Sequence, residues 1–138
     1  MTRYALISQR ANGKQTYAGV SGKEIIGFYA LAVGHVAYDH APDRLKKKLS
    51  RHPVPVIILA RLGVDLDWQG KGVAAGLLRD AMQRTVQVTD IAGLRVFPVH
   101  AKNRRAKAFY EHFDFMSSPT DPYHLFLLLK DIRKIMSE

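Results

Sequence analysis

The feature that most constrains this chain is an apolar run that passes through a glycine turn into an amphipathic segment. The run is Val54-Pro55-Val56-Ile57-Ile58-Leu59-Ala60-Arg61-Leu62-Gly63-Val64, and the turn is Gln69-Gly70-Lys71-Gly72-Val73-Ala74. The run is apolar on both faces of an extended chain, as a central strand covered on each side should be. Beyond the turn, small or apolar residues recur at Ala74, Leu77, Leu78, Ala81, Met82, Thr85 and Val88, the spacing of one buried helical face. A strand feeding a helix this way predicts a mixed α/β sheet. The two glycines let the backbone approach a ligand without Cβ interference. The first helical amides point outward unpaired, at the positive end of the helix dipole, which makes a seat for a phosphate or pyrophosphate. Alone, such a turn is also a plain connection. Its spacing is neither the Walker G-x-x-x-x-G-K-[ST] nor the dinucleotide G-x-G-x-x-G.

A second segment lies downstream. Leu94-Arg95-Val96-Phe97-Pro98-Val99-His100 reads as a short strand, followed by Asn103-Arg104-Arg105-Ala106-Lys107-Ala108-Phe109-Tyr110-Glu111-His112-Phe113-Asp114-Phe115. Ala106, Phe109, Tyr110 and Phe113 fall on one helical face. On spacing alone, Tyr110 reads as a core aromatic.

Together the two segments resemble the GNAT acetyltransferases. Gln69–Ala74 is similar to their Q/R-x-x-G-x-G/A element, and Asn103–Phe115 to their N-x-x-A-x-x-F-Y-x-x-x-G-F element, with Asp114 where the family usually has glycine. The resemblance implies a GNAT fold, an α/β (α+β) domain with a mixed, mostly antiparallel central sheet flanked by helices. It also implies acetyl-CoA as acetyl donor and direct transfer to an amine. Gln69, Gly70, Lys71, Gly72, Val73 and Ala74 would then hold the pyrophosphate, and Asn103 would join the cofactor set. The backbone near Leu62 and Val64 would take the pantetheine like an added strand. Gly63 would mark a bulge that splays the neighbouring strand. An amide near Leu62 would polarise the thioester oxygen. Tyr110 would be the general acid, since a phenol is neutral at pH 7 and a thiolate has a pKa of about 8.5.

Lys23–Ala32 and Pro53–Asp65 are similar to one GNAT subgroup, the toxins that acetylate the amino group of aminoacyl-tRNA and block translation. That similarity runs from about Tyr4 to Lys130. It implies a charged tRNA as substrate, a ribbon-helix-helix antitoxin as partner, and room for a homodimer. Lys and Arg number 21 against 12 Asp and Glu, a formal charge of +9, which favours a polyanionic partner. The cations cluster at Arg44, Lys46, Lys47, Lys48 and Arg51, and again at Lys102, Arg104, Arg105 and Lys107. Lys46, Lys47, Lys48, Arg104 and Arg105 are therefore candidate nucleic-acid contacts, although charge runs also form plain solvated faces. An α-amino group, with a pKa of about 8, is more nucleophilic at neutral pH than a lysine at about 10.4, which favours an α-amino acceptor.

Other chemistries find less support. Without cysteine there are no disulfides, thiolate metal sites or cysteine nucleophile. His35, His40, His52, His100, His112 and His124 lack paired-ligand spacing, so no metal is expected. No serine has a G-x-S-x-G setting. Glu111 and Asp65 read better as surface or capping carboxylates than as bases, His100 as a strand-end polar residue, and Trp68 as packed on the sheet. No apolar run is long enough for a membrane span, and no signal peptide is apparent, so the cytoplasm is expected.

The whole chain, 1–138, reads as one domain. Gln15–Val20 and Glu24–Val36 pair through a Ser21-Gly22-Lys23 turn, Asp39–Pro53 is a basic helix or loop, and Tyr123–Lys130 is a last strand. Tyr4–Arg10 is expected to be the end of a helix, which makes the domain N-terminally shortened, by a late start or a truncation. Two other functions stay open: an acetyltransferase for a small amine or protein, and an inactive GNAT-like binding module.

Overall fold

The computed structural model describes residues 5–11, 14–36, 54–92, 96–128 and 130–132. The segment 37–53, with Lys46, Lys47 and Lys48, lies outside them. Seven strands form one sheet: β1 (Ala5–Ala11), β2 (Lys14–Ser21), β3 (Glu24–Val36), β4 (Val54–Val64), β5 (Val96–His100), β6 (Met116–Ser117) and β7 (His124–Leu128). Their spatial order is β1-β2-β3-β4-β5-β7-β6. Every neighbouring pair is antiparallel except β4–β5, joined by the long crossover helix α1 (Val73–Ala92) that a parallel connection requires. Helix α2 (Arg104–His112) links β5 to β6. The expected mixed, mostly antiparallel sheet is present. Among the described residues no helix is long and apolar enough to cross a membrane.

Both helices cover one face of the sheet. Leu77, Leu78, Ala81 and Met82 of α1 and Tyr110 of α2 pack with Tyr29, Leu59, Phe97, Val99, Leu125 and Leu127 from the strands. The alternate strand positions Val56, Val96, Phe126 and Leu128 build a smaller cluster on the other face, as the two-residue period of a strand demands. Gly27 lets α1 come close to β3, because a Cβ there would meet Leu77 Cδ1 at 2.9 Å and the Gly63 carbonyl at 3.0 Å. The β2–β3 hairpin closes at Ser21 and Glu24, with Gly22 at φ +63° in the first turn position, the place where a II′ turn takes glycine.

Two expectations are corrected. Of the helix end expected at Tyr4–Arg10, the described part is a strand instead: Ala5–Ala11 pairs with β2 from Ala5↔Val20 to Ala11↔Lys14. Its backbone groups find partners across the ladder, which a single helical turn could not supply from within. The bulge does not sit at Gly63 either. Ala30 pairs with Arg61 and Leu31 with Leu59, so Ala60 is the extra residue. Gly63 stays in register opposite Phe28, and a Cβ on it would meet Phe28 Cε1 at 2.8 Å. Its bare backbone gives that ring space. The expected splaying does follow, displaced toward the middle of β4: among the described residues β4 and β5 are paired only at Leu59↔Val99. Beyond that point the two parallel strands part, and a cleft opens.

Candidate active site

The cleft encloses about 820 Å³ and has three walls. Gly27, Phe28, Leu62, Gly63 and Val64 form the β3–β4 wall. Gln69, Gly70, Gly72, Val73 and Ala74 form the second, at the start of α1, and Asn103, Arg105, Phe109 and Tyr110 form the third, on α2. The two sequence segments, a strand apart in the chain, thus face each other across one cavity.

The glycine turn is shaped by its backbone. Gly70 and Gly72 have φ of +77° and +81°, a region L residues with a Cβ enter at a cost. A Cβ at either would meet nothing within 4 Å, so torsion, and not crowding, requires glycine. The first helical bond of α1 runs from the Gly76 amide to the Gly72 carbonyl at 3.0 Å. The amides of Val73, Ala74 and Ala75 precede it and have no carbonyl one turn back to take. Neither Gly70 nor Gly72 offers a side-chain acceptor. At α2, by contrast, Asn103 Oδ1 accepts from the Ala106 amide at 2.9 Å, an ordinary N-cap. The α1 end is the open anion seat.

The other candidate residues divide between wall and scaffold. Gln69 lines the cleft, but its side-chain amide donates to the Val64 carbonyl at 3.2 Å, tying the turn to the end of β4. Lys71 is not on the wall; its ammonium lies 5.1 Å from the Trp68 ring centre. Arg105 lines the cleft and Arg104 does not, although the two are adjacent. Asp65 Oδ1 accepts from the Asp67 amide at 2.9 Å, a capping role, and Glu111 is exposed outside the cleft wall. His100 stacks on His124 with ring centres 3.9 Å apart, away from the wall. Among the described residues no three His, Asp or Glu side chains converge as a metal site.

Sequence reading missed Phe28, Trp68 and Lys102 as wall residues. Trp68 Nε1 donates to Glu24 Oε1 at 3.0 Å, which pins the indole between the hairpin end of β3 and the glycine turn. Lys102 had a signal, its place next to Asn103.

Tyr110 is 5% exposed and packs edge-on against Phe109 and Phe115, each with its ring centre 5.3 Å away. Burial pushes its phenol up to about 12, because the charged form loses hydration there. It is therefore a protonated O–H throughout the neutral range, in the wall facing the anion seat. The turn after α2 adapts to Asp114, which takes φ +72° itself. That turn returns the chain to Phe115, whose amide donates to the Tyr110 carbonyl at 3.2 Å.

Residues 12–117 match the model of the Acetyltransferase (GNAT) domain family. A curated protein described as a tRNA-acetylating toxin, from Mycobacterium tuberculosis, is 46% identical over 138 residues, which cover 100% of this chain and 82% of the relative. Among solved structures, AtaT complexed with acetyl-methionyl-tRNAfMet superposes with a TM-score of 0.81 at 24% identity, over 90% of this chain and 76% of that one. A tyrosine-to-phenylalanine mutant of the AtaT toxin, bound to acetyl-CoA and the C-terminus of the antitoxin AtaR, gives a TM-score of 0.74 at 21% identity, over 91% of this chain and 73% of that one.

Proposed function

The chain belongs to the GNAT acetyltransferase family, and on that premise we propose that it is a toxin that acetylates the amino group of an aminoacyl-tRNA. The observation that carries the catalytic part is the placement of a protonated, buried Tyr110 across one cleft from the unpaired amides of Val73–Ala75. The acceptor is supported by the tRNA-acetylating relative at 46% identity and by the formal charge of +9.

Acetyl-CoA, when bound, supplies an acetyl group activated as a thioester. The amides at the start of α1 suit its diphosphate. The edge of β4 beyond Leu59, where β5 has diverged, offers backbone groups to an extended arm near Leu62 and Val64. Tyr110 holds a proton for the departing sulfur, and the apolar ring cluster around it keeps that proton in place up to about pH 12. Among the described residues no carboxylate in the wall is free to act as base, since Asp65 is committed to its turn. The acceptor amine must then arrive unprotonated, which an α-amino group of pKa about 8 does in useful measure at neutral pH.

Arg104 and Arg105 on α2, with Lys46, Lys47 and Lys48, which lie outside the described residues, are the cations assigned to the tRNA. The cytoplasm, where charged tRNA and acetyl-CoA meet, is the place of action. The same reading includes an antitoxin partner, as the AtaT–AtaR complex supports for a protein of this fold, of the ribbon-helix-helix type that the subgroup resemblance implies, and a homodimer; co-purification and analytical ultracentrifugation test these. The acceptor is tested with labelled acetyl-CoA, pooled charged tRNAs, a polyamine and a protein mixture. Label on aminoacyl-tRNA is the expected result. Label only on the polyamine or protein would replace the tRNA reading with that of a general amine acetyltransferase.

A further inference from the structure

The cleft wall carries positive charge that the glycine turn does not supply. Lys102, just before α2, and Arg105, in its first turn, both line it. Among the described residues neither is paired with a carboxylate. Asp65 is the one described carboxylate in the wall, and it is held by the Asp67 amide. Lys71, the cation inside the glycine turn, lies over Trp68 instead. Two uncommitted cations therefore face a cavity whose open amides belong to a different element.

We propose that Lys102 and Arg105 form a second anion subsite, for the 3′-phosphate of the coenzyme, and make the cleft selective for CoA thioesters over dephospho-CoA thioesters. The proposal rests on acetyl-CoA being the donor. The amides of Val73–Ala75 suit a diphosphate held close to the backbone. The coenzyme's remaining anion is a phosphate monoester on the ribose, with a charge of about −1.5 to −2 at pH 7. A planar guanidinium takes two oxygens of such a group at once, and an ammonium beside it adds a point charge. The two neighbouring arginines thus separate in role: Arg105 serves the cofactor, and Arg104 stays outside the cleft wall.

Isothermal titration calorimetry at fixed ionic strength tests this with acetyl-CoA and acetyl-dephospho-CoA. The proteins are wild type, Lys102→Ala, Arg105→Ala, Arg105→Lys and Lys14→Ala. The last removes a charge from the exposed start of β2, five positions from the Gly19–Gly27 pair at the cleft end. Wild type should bind acetyl-CoA roughly a hundredfold more tightly than its dephospho analogue, the worth of about two charge-assisted contacts. Lys102→Ala and Arg105→Ala should each lose about tenfold for acetyl-CoA while changing less than about twofold for the analogue. Arg105→Lys should recover part of the loss, and Lys14→Ala should match wild type with both ligands. Equal losses for both ligands would assign the cations to the diphosphate and overturn the proposal, and so would unchanged affinity for both. Wild type that binds neither ligand would remove the donor reading itself, a distinct result.

Discussion

Replacing Tyr110 with phenylalanine removes one oxygen from a ring otherwise packed among neighbouring aromatics at the cleft wall. The ring keeps its edge-on contacts with Phe109 and Phe115, and among the described residues its hydroxyl has no hydrogen-bond partner. Stability near neutral pH should therefore change by less than about 1 kcal/mol. Acetyl transfer should fall roughly 10²–10⁴-fold, the worth of a general acid, or about 3–5 kcal/mol in the barrier. Acetyl-CoA affinity should hardly move. The same variant carries a second signature. The Tyr110 phenol rises from 10.0 unfolded to about 12 folded, so the native state keeps its proton longer. The stability tied to the neutral ring is complete below about pH 10 and lost as pH climbs through about 12, about 3 kcal/mol in total. Tyr29, pushed higher still by burial and by the Asp80 carboxylate, adds its own slope from about pH 10. Tyr110→Phe should halve the slope that the two tyrosines contribute between about pH 10 and 12, read from urea melts at several pH values. Unchanged turnover in a folded variant would refute the catalytic assignment. An unchanged alkaline slope would refute the burial argument on which the protonated state depends.

Asp114→Gly should stabilise the protein by about 0.5–1 kcal/mol in thermal melts, because Asp114 holds φ +72° at a cost glycine escapes. Asp80→Ala should cost about 1–3 kcal/mol in urea melts, since it leaves the fully buried Tyr29 hydroxyl without its acceptor. Tyr29→Phe in that background should recover part of the loss, while the half-exposed Arg84 partner adds little. Trp68 is the one tryptophan and lines the cleft, so acetyl-CoA should change its fluorescence in wild type. Gly72→Asp, placing a side chain and a charge on the anion seat, should weaken that titration at least roughly tenfold; unaltered affinity in a folded protein would put the phosphate seat elsewhere.

Much of the scaffold is legible as periodicity. The α1 face predicted at Ala74, Leu77, Leu78, Ala81, Met82, Thr85 and Val88 is the face that packs, with Leu77, Leu78, Ala81, Met82 and Thr85 all buried; the side chain of Val88 lies outside the described ones. Among the described residues the buried Thr85 hydroxyl has no hydrogen-bond partner. The first strand is hidden because Tyr4–Arg10 places its apolar residues in one block, Tyr4-Ala5-Leu6-Ile7, followed by the polar block Ser8-Gln9-Arg10, so no two-residue alternation shows. A usable signal stood beside it, since Asn12-Gly13 is a strong hairpin dipeptide. The bulge was misplaced because glycine marks two different things in a strand, an irregular backbone and a near neighbour. At Gly63 the neighbour is Phe28, and only the paired register reveals that the extra residue is Ala60.

The sequence by itself determined the strand, the glycine turn and the two helical faces, and through them the family and its acetyl chemistry. Those signals are local: torsional demands at Gly70 and Gly72, a buried stripe repeating every three or four residues, an apolar run. Only the tertiary structure decided which residues share the cleft. It turned Lys71 onto Trp68, bound Gln69 to the Val64 carbonyl, made Asn103 a cap, and set Arg105 in the wall while leaving Arg104 outside. Adjacent residues on a helix point about 100° apart. Which of them meets the cavity depends on how α2 is rotated against a sheet built from distant parts of the chain, and no short stretch of sequence contains that rotation.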